Sequence, residues 1–396
     1  MSAAGAGPSG AASSRKSRGG RKKRARGESK IVMLYQQTVA EKRTELMLQR
    51  ENPSGKDEAT HNAEIRELRL ELEAARLQLA NAILADKVNE HRDMQSLDLK
   101  SYGYPDVPES ISALTNLTEL DLSYNTVREL DPALFSSLPR LQTFRMVQNE
   151  LIELPETIKF CTELDELDLR WNFLGDVPDG LFLCKRLTKL LLSYNQLAEL
   201  PQGVTELKAL QVLKLDVNRM MSLPSLKGLD SLQVLAMSRL GNYEERKSGI
   251  KRERTHRRKF NMLPPGIEAC TSLTELYAVN NQIKELPEAV CEKLTRLTKL
   301  HLNGNRLATL PQSFTNLVRL RECDLSRNRL TKQALQGFSN IRAIMTSLFT
   351  PPHGGEKPPF FSIEGNVGID ELEDLNTNND AQDDLDNGDL SDSSDV

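Results

Sequence analysis

Leu117-x-x-Leu120-x-Leu122-x-x-Asn125-x-Val127-x-x-Leu130 is the stretch whose reading decides the fold. The same template returns from Leu164 (Leu167, Leu169, Asn172, Leu174, Val177-Pro178) and from Leu187 (Leu190, Leu192, Asn195, Leu197, Leu200-Pro201). It returns again from Leu297 (Leu300, Leu302, Asn305, Leu307, Leu310-Pro311). Repeat starts fall at 94, 117, 141, 164, 187, 210, 232, 273, 297 and 320. The steps are 22 to 24 residues, except for one of 41. Ten matches in one frame at such a period mark stacked structural repeats. In each, the Leu-x-Leu pair reads as a short strand with its leucines inward and the residue between them outward. The Asn is placed to satisfy buried backbone groups where the chain turns out of the strand. The other half of the repeat returns over the convex side and fills the core. One repeat cannot bury its apolar face alone, so the core exists only through stacking. The expected fold class is therefore α/β, a curved solenoid with a parallel β-sheet on its concave face.

With these residues in view, the chain resembles the leucine-rich-repeat proteins over about residues 94–342. The 23-residue period and the Leu-Pro pairs resemble the intracellular Ras-group scaffolds. Those pairs are Leu154-Pro155, Leu200-Pro201, Leu223-Pro224, Leu263-Pro264, Leu286-Pro287 and Leu310-Pro311. The resemblance implies a right-handed superhelix and a non-enzymatic scaffold or adaptor in signal transduction. The implied partner is a protein of small-GTPase or phosphatase type. Two repeats depart from the pattern. The first has Tyr102 in place of the Asn, as befits a capping repeat. The seventh has Leu240 there, and 18 residues, 242–259, are inserted after it. The insertion carries Arg246, Lys247, Lys251, Arg252, Arg254, Arg257, Arg258 and Lys259 against three glutamates.

The formal charge of −4 conceals two tails of opposite sign. Residues 1–30 hold nine basic residues and one acidic; residues 358–396 hold twelve acidic and no basic residues. The basic head and the acidic run from about 369 should stay disordered. The domain reading is a basic tail (1–30) and a helical hairpin or coiled-coil segment (31–93). A solenoid of about ten repeats (94–345), a Pro/Gly linker (346–368) and an acidic tail (369–396) follow. On the second helix, Ile65, Leu68, Leu72, Ala75, Leu79 and Ile83 form one stripe, and Leu70, Leu77 and Leu84 lie almost opposite. A helix apolar on two sides needs two partners. Either the first helix and the solenoid end cover it, or residues 57–92 oligomerise as a coiled coil.

No run of apolar residues is long enough for a membrane span, and the N-terminus lacks a secretory h-region. Five dispersed cysteines without CxxC spacing point to a reducing compartment, hence a cytoplasmic protein. Arg21, Lys22, Lys23, Arg24 and Arg26 form a candidate nuclear-localisation stretch. The chain shows no phosphate-cradling loop, zinc motif or nucleophile elbow, so no enzyme activity, cofactor or metal is expected.

Residues pointing out of the strands are dictated by partners, so the concave face is the expected binding surface for a protein. Its candidate residues are Tyr124, Arg145, Asp168, Arg170, Trp171, Tyr194, Lys214, Tyr277 and His301. Tyr124, Trp171 and Tyr194 each precede a repeat Asn and should form one aromatic track, the composition of an interface hot spot. The basic stretches could also meet phosphates of nucleic acid or anionic lipid, though the insertion's basic run has no aromatics for base stacking. The alternative function is a nuclear acidic-tail protein that binds histones or chromatin.

Overall fold

The computed structural model describes residues 30–51, 58–241, 260–331, 334 and 360–366. The chain divides into two units, Met1–Ala82 and Ile83–Val396. In the first lies α1 (Lys30–Glu51) with most of α2 (Glu58–Glu90). Leu, Ala, Glu and Arg dominate α2 and are strong helix formers. Lys42 of α1 bonds Glu71 of α2, so the two helices lie side by side within this unit. Val32, Leu72 and Ala75 are buried there, while Leu70 stays exposed. The last turns of α2 belong to the second unit, where Leu84 and Val88 are buried.

The second unit is built on an open parallel sheet of eleven three-residue strands in sequence order, from β1 (Ser96–Asp98) to β11 (Phe360–Ser362). Adjacent strands pair without register slip: Leu120 sits against Leu97 and Phe144, and Leu190 against Leu167 and Leu213. These central residues are 0–1 % exposed except Leu97 at 7 %. Each fully buried leucine contributes about 1.5–3 kcal/mol. Between most described strands the chain returns through short 3-10 turns or single α-helical turns. Pro155, Pro178, Pro201, Pro287 and Pro311 stand immediately before five of them. The fixed φ of proline holds the entry in extended conformation at no entropic cost.

An asparagine ladder closes the repeats, except the first and seventh, where Tyr102 and Leu240 stand in its place. Asn125 donates Nδ2 to the carbonyls of Leu122 (2.8 Å) and of Leu99 one repeat back (2.9 Å). Its Oδ1 accepts the Tyr104 amide at 3.0 Å. Asn172, Asn195, Asn218, Asn305 and Asn328 repeat this scheme. The residue just before each Asn position adopts left-handed backbone. These are Ser101, Tyr124, Gln148, Trp171, Tyr194, Val217, Arg239, Asn280, Gly304, Arg327 and Gly365, with φ between 52° and 69°. That conformation turns the chain sharply enough for the Asn amide to reach back three residues.

The C-terminal boundary corrects the sequence reading. Residues 360–366, assigned to a Pro/Gly linker, form an eleventh repeat. Phe361 pairs with Cys323, and Asn366 donates to Leu325 and Ile363 and accepts the Leu330 amide at 2.9 Å. The signal was present as Phe361-x-Ile363-x-x-Asn366, the strand template with Phe and Ile in the leucine positions. It was hidden because the step from Cys323 to Phe361 is 38 residues and passes through a proline- and glycine-rich stretch.

Candidate functional site

Outward strand residues form rows that run across the sheet, one residue per repeat. Near the N-terminal end the rows carry alternating charge. Lys100 meets Asp121 at 3.0 Å, and Arg145 meets Glu166 at 2.8 Å. Glu166 also takes Lys189 at 3.0 Å. Burial raises the Glu166 carboxyl, yet its bonds to Arg145 and Lys189 outweigh that and leave it below the usual carboxylate range. Asp168 is 3 % exposed and holds Arg170 through two bonds, of 2.9 and 2.7 Å. Asp168 therefore positions Arg170 and has almost no surface of its own to offer a partner. Bidentate pairing fixes the guanidinium plane.

Trp171 follows directly in the chain and stacks on Tyr194 of the next repeat, with ring centroids 3.7 Å apart and planes within 8°. Both rings remain accessible, at 49 % and 37 %. The left-handed backbone at both positions aims two successive aromatics out of one edge, and the common period stacks them. Tyr124 is 52 % exposed on the same edge, but Gln148 of the third repeat stands between it and Trp171. The expected continuous aromatic track is thus a stacked pair with a separate tyrosine.

The edge extends beyond the Asn positions. A groove of about 370 Å³ is lined by Arg128, Glu150, Ile152, Phe173 and Gln196. Ile152 and Phe173 are 37 % and 47 % exposed. Phe173 lies two residues past Trp171, on the other side of the buried Asn172. Repeats two to five therefore present Tyr124, Trp171, Tyr194, Ile152 and Phe173 on one edge. The groove is not legible from the outward strand residues or from the positions before the Asn. The signal was a large apolar residue one or three places after the Asn, on the turn leaving the strand.

Lys214 lies between Leu191 and Ala236 in the strand register, in the least charged part of the sheet. Farther along, Tyr277 and His301 stand side by side with ring centroids 5.1 Å apart. The Tyr277 hydroxyl donates to Glu275 at 2.8 Å, and His301 lies 3.6 Å from Glu322. Burial, then the bond to Glu275, pushes the Tyr277 phenol up. The nine concave-face candidates thus fall into two groups and one isolated lysine. The basic insertion and the candidate nuclear-localisation stretch lie outside the described residues.

All five cysteines are free and buried. The Cys184 thiol donates to the Ile158 carbonyl of the preceding repeat at 3.4 Å. Burial pushes the Cys161, Cys270 and Cys291 thiols up to about 12 and Cys184 up to about 11. Cys161, Cys184 and Cys270 hold equivalent repeat positions, three residues before a repeat start, and these are core positions. Among the described residues no three His, Cys, Asp or Glu side chains gather as a metal site, and no helix is long and apolar enough to cross a membrane.

Comparison with known proteins agrees with this geometry. The family model described as "Leucine rich repeat" matches residues 94–151, 162–220 and 271–330. The chain is 27 % identical over 236 residues to leucine-rich repeats and immunoglobulin-like domains protein 1 of Homo sapiens, covering 59 % of this chain and 16 % of that protein. It is 34 % identical over 108 residues to lumican of Mus musculus, covering 27 % of this chain and 26 % of lumican. The chain thus spans about a quarter or less of the length of these curated relatives. Among solved structures, a leucine-rich-repeat protein of Leptospira interrogans aligns with a TM-score of 0.58 and 26 % identity, over 72 % of this chain and 64 % of that one. These matches support the leucine-rich-repeat family, and the eleven-stranded parallel sheet is that of a leucine-rich-repeat solenoid.

Proposed function

We propose, from the premise of a leucine-rich-repeat solenoid with one hydrophobic edge, that this chain is an intracellular, non-enzymatic scaffold that binds a partner protein through repeats two to five. Leucine-rich-repeat proteins generally act in protein–protein interaction. The observation that carries the surface is the Trp171–Tyr194 stack. Two aromatics preorganised face to face lose little rotamer freedom on binding, and they lie beside a guanidinium already locked by Asp168. Aromatic and arginine side chains in that arrangement are what interface hot spots are made of. The groove with Ile152 and Phe173 widens the apolar contact. The Leu-Pro repeats resemble Ras-group scaffolds, which supports a signalling role with a small GTPase or phosphatase as the partner class, in the cytoplasm and, if the basic head acts as a signal, in the nucleus.

The test is affinity capture with the full chain beside its Trp171→Ala/Tyr194→Ala variant. Proteins retained by the wild type and lost by the variant, with circular-dichroism spectra superimposable, support the reading. Identical retention by both would place the interface elsewhere.

A further inference from the structure

The edge that bears the aromatic pair changes character along the solenoid. From the left-handed residue to three places past the Asn, repeats two to five contain Arg128 and Glu150 as their only charges. The same five-residue windows in repeats eight to ten are 280–284, 304–308 and 327–331. They hold Lys284, Arg306, Arg327 and Arg329 and no acidic residue. Lys284, Arg327 and Arg329 are exposed and Arg306 is half-buried. None of the four has an ion-pair partner among the described residues. Arg306 and Arg329 hold equivalent positions in adjacent repeats, so their backbones are about one strand spacing, roughly 5 Å, apart. Arg327 and Arg329 flank the buried Asn328. These four form a cationic ledge without an ion-pair partner among the described residues, with Glu285 and Glu364 as acidic neighbours.

The described chain ends beside it. Gly365 follows Arg327 in the left-handed row and lies against its side chain. Asn366 is hydrogen-bonded to Leu325 and Leu330 of the same tenth repeat. The 30 residues that follow, 367–396, carry eleven acidic and no basic side chains, beginning with Asp370, Glu371, Glu373 and Asp374. Four residues of extended chain reach about 13 Å, enough to bring Asp370 onto Arg327, Arg329 or Arg306. A short tether also gives the tail a local concentration on the order of millimolar.

We propose that the ledge formed by Lys284, Arg306, Arg327 and Arg329 is the docking surface for the chain's own acidic C-terminal segment, residues 367–396. This surface is separate from the aromatic edge of repeats two to five and does not depend on it. Docking neutralises the ledge, and it makes access of any acidic partner to repeats eight to ten salt-dependent.

The test uses the full chain with Ser391→Cys carrying a maleimide dye; the five native cysteines are buried and stay unlabelled. At about 50 mM salt the dye should report a held tail whose anisotropy is independent of protein concentration, and at about 500 mM a released one, because exposed charge pairs are screened. Arg306→Glu/Arg327→Glu/Arg329→Glu should lower the held-to-free ratio about tenfold at low salt, three surface contacts each being worth roughly a factor of two. A variant that behaves as the wild type overturns the proposal, whether the tail is then held by the basic head, by the 242–259 insertion or not at all. A concentration-dependent signal overturns it too, because the contact is then between chains. A second measurement keeps the charge in place. In Arg306→Lys/Arg329→Lys, carbodiimide coupling should join the new amines to tail carboxylates within a monomer. Amide bonds found only at lysines elsewhere would refute the ledge as the site.

Discussion

Replacing Asn366 by alanine should loosen the end of the solenoid without unfolding it. Three hydrogen bonds disappear, to the Leu330 amide (2.9 Å), the Leu325 carbonyl (3.0 Å) and the Ile363 carbonyl (2.7 Å). A buried backbone group left without a partner costs about 1–3 kcal/mol. The full sum for three groups is an upper bound, since the Ile363 bond is only part-buried and water can reach the end repeat. A net loss of about 2–3 kcal/mol follows, which is a factor of roughly 30 to 150 in the opening equilibrium of repeat eleven. The amides of Leu325 and Arg327, which donate to Ser362 and Glu364, should exchange hydrogen faster by that factor. Cys323, buried and paired with Phe361 across the strand register, supplies an independent readout through its rate of thiol labelling. Cys161, in the third repeat interval, serves as the internal control and should not change. Equal exchange in wild type and variant, with Cys323 still inert, would show that residues 360–366 do not carry a repeat.

Other outcomes follow from the same geometry. Val217 is a β-branched residue at φ 54°, where Asn280 and Gly304 serve in other repeats; Val217→Asn should raise stability by about 1 kcal/mol, read as a higher urea midpoint at unchanged slope. Leu190→Ala empties a fully buried strand position and should cost about 2–5 kcal/mol in the same assay. Burial pushes the Cys161, Cys184, Cys270 and Cys291 thiols up to about 11–12 in the folded chain, against about 8.5 when unfolded. Their contribution to stability is therefore full below about pH 8.5 and is lost as pH rises through the folded values, so the urea midpoint should fall steadily between pH 8.5 and 12.

Much of the fold was legible because the repeat imposes the same demands eleven times. Leu120, Leu167 and Leu190 had to point inward, and Asn125 had to turn the chain, whatever the neighbours were. Where tertiary context intervened, the sequence misled. Phe361 and Ile363 replace the leucines of the template, so the last repeat looked like linker. Asp168 appeared as an outward carboxylate, but Arg170 folds back over it and leaves it buried. Tyr124 shared a position with Trp171, yet stacking needs adjacent repeats, and Gln148 intervenes. The groove beside Phe173 could not be read from strand periodicity, because its lining residues lie on the turns leaving the strands.

The aromatic edge is tested most directly by one comparison. The dissociation constant of a captured partner is measured for the wild type, for Trp171→Ala/Tyr194→Ala and for Tyr277→Ala/His301→Ala. The first double variant should weaken binding at least tenfold at an unchanged melting temperature, with the second near wild type. Equal affinity of wild type and Trp171→Ala/Tyr194→Ala would contradict the assignment of the partner surface to repeats two to five.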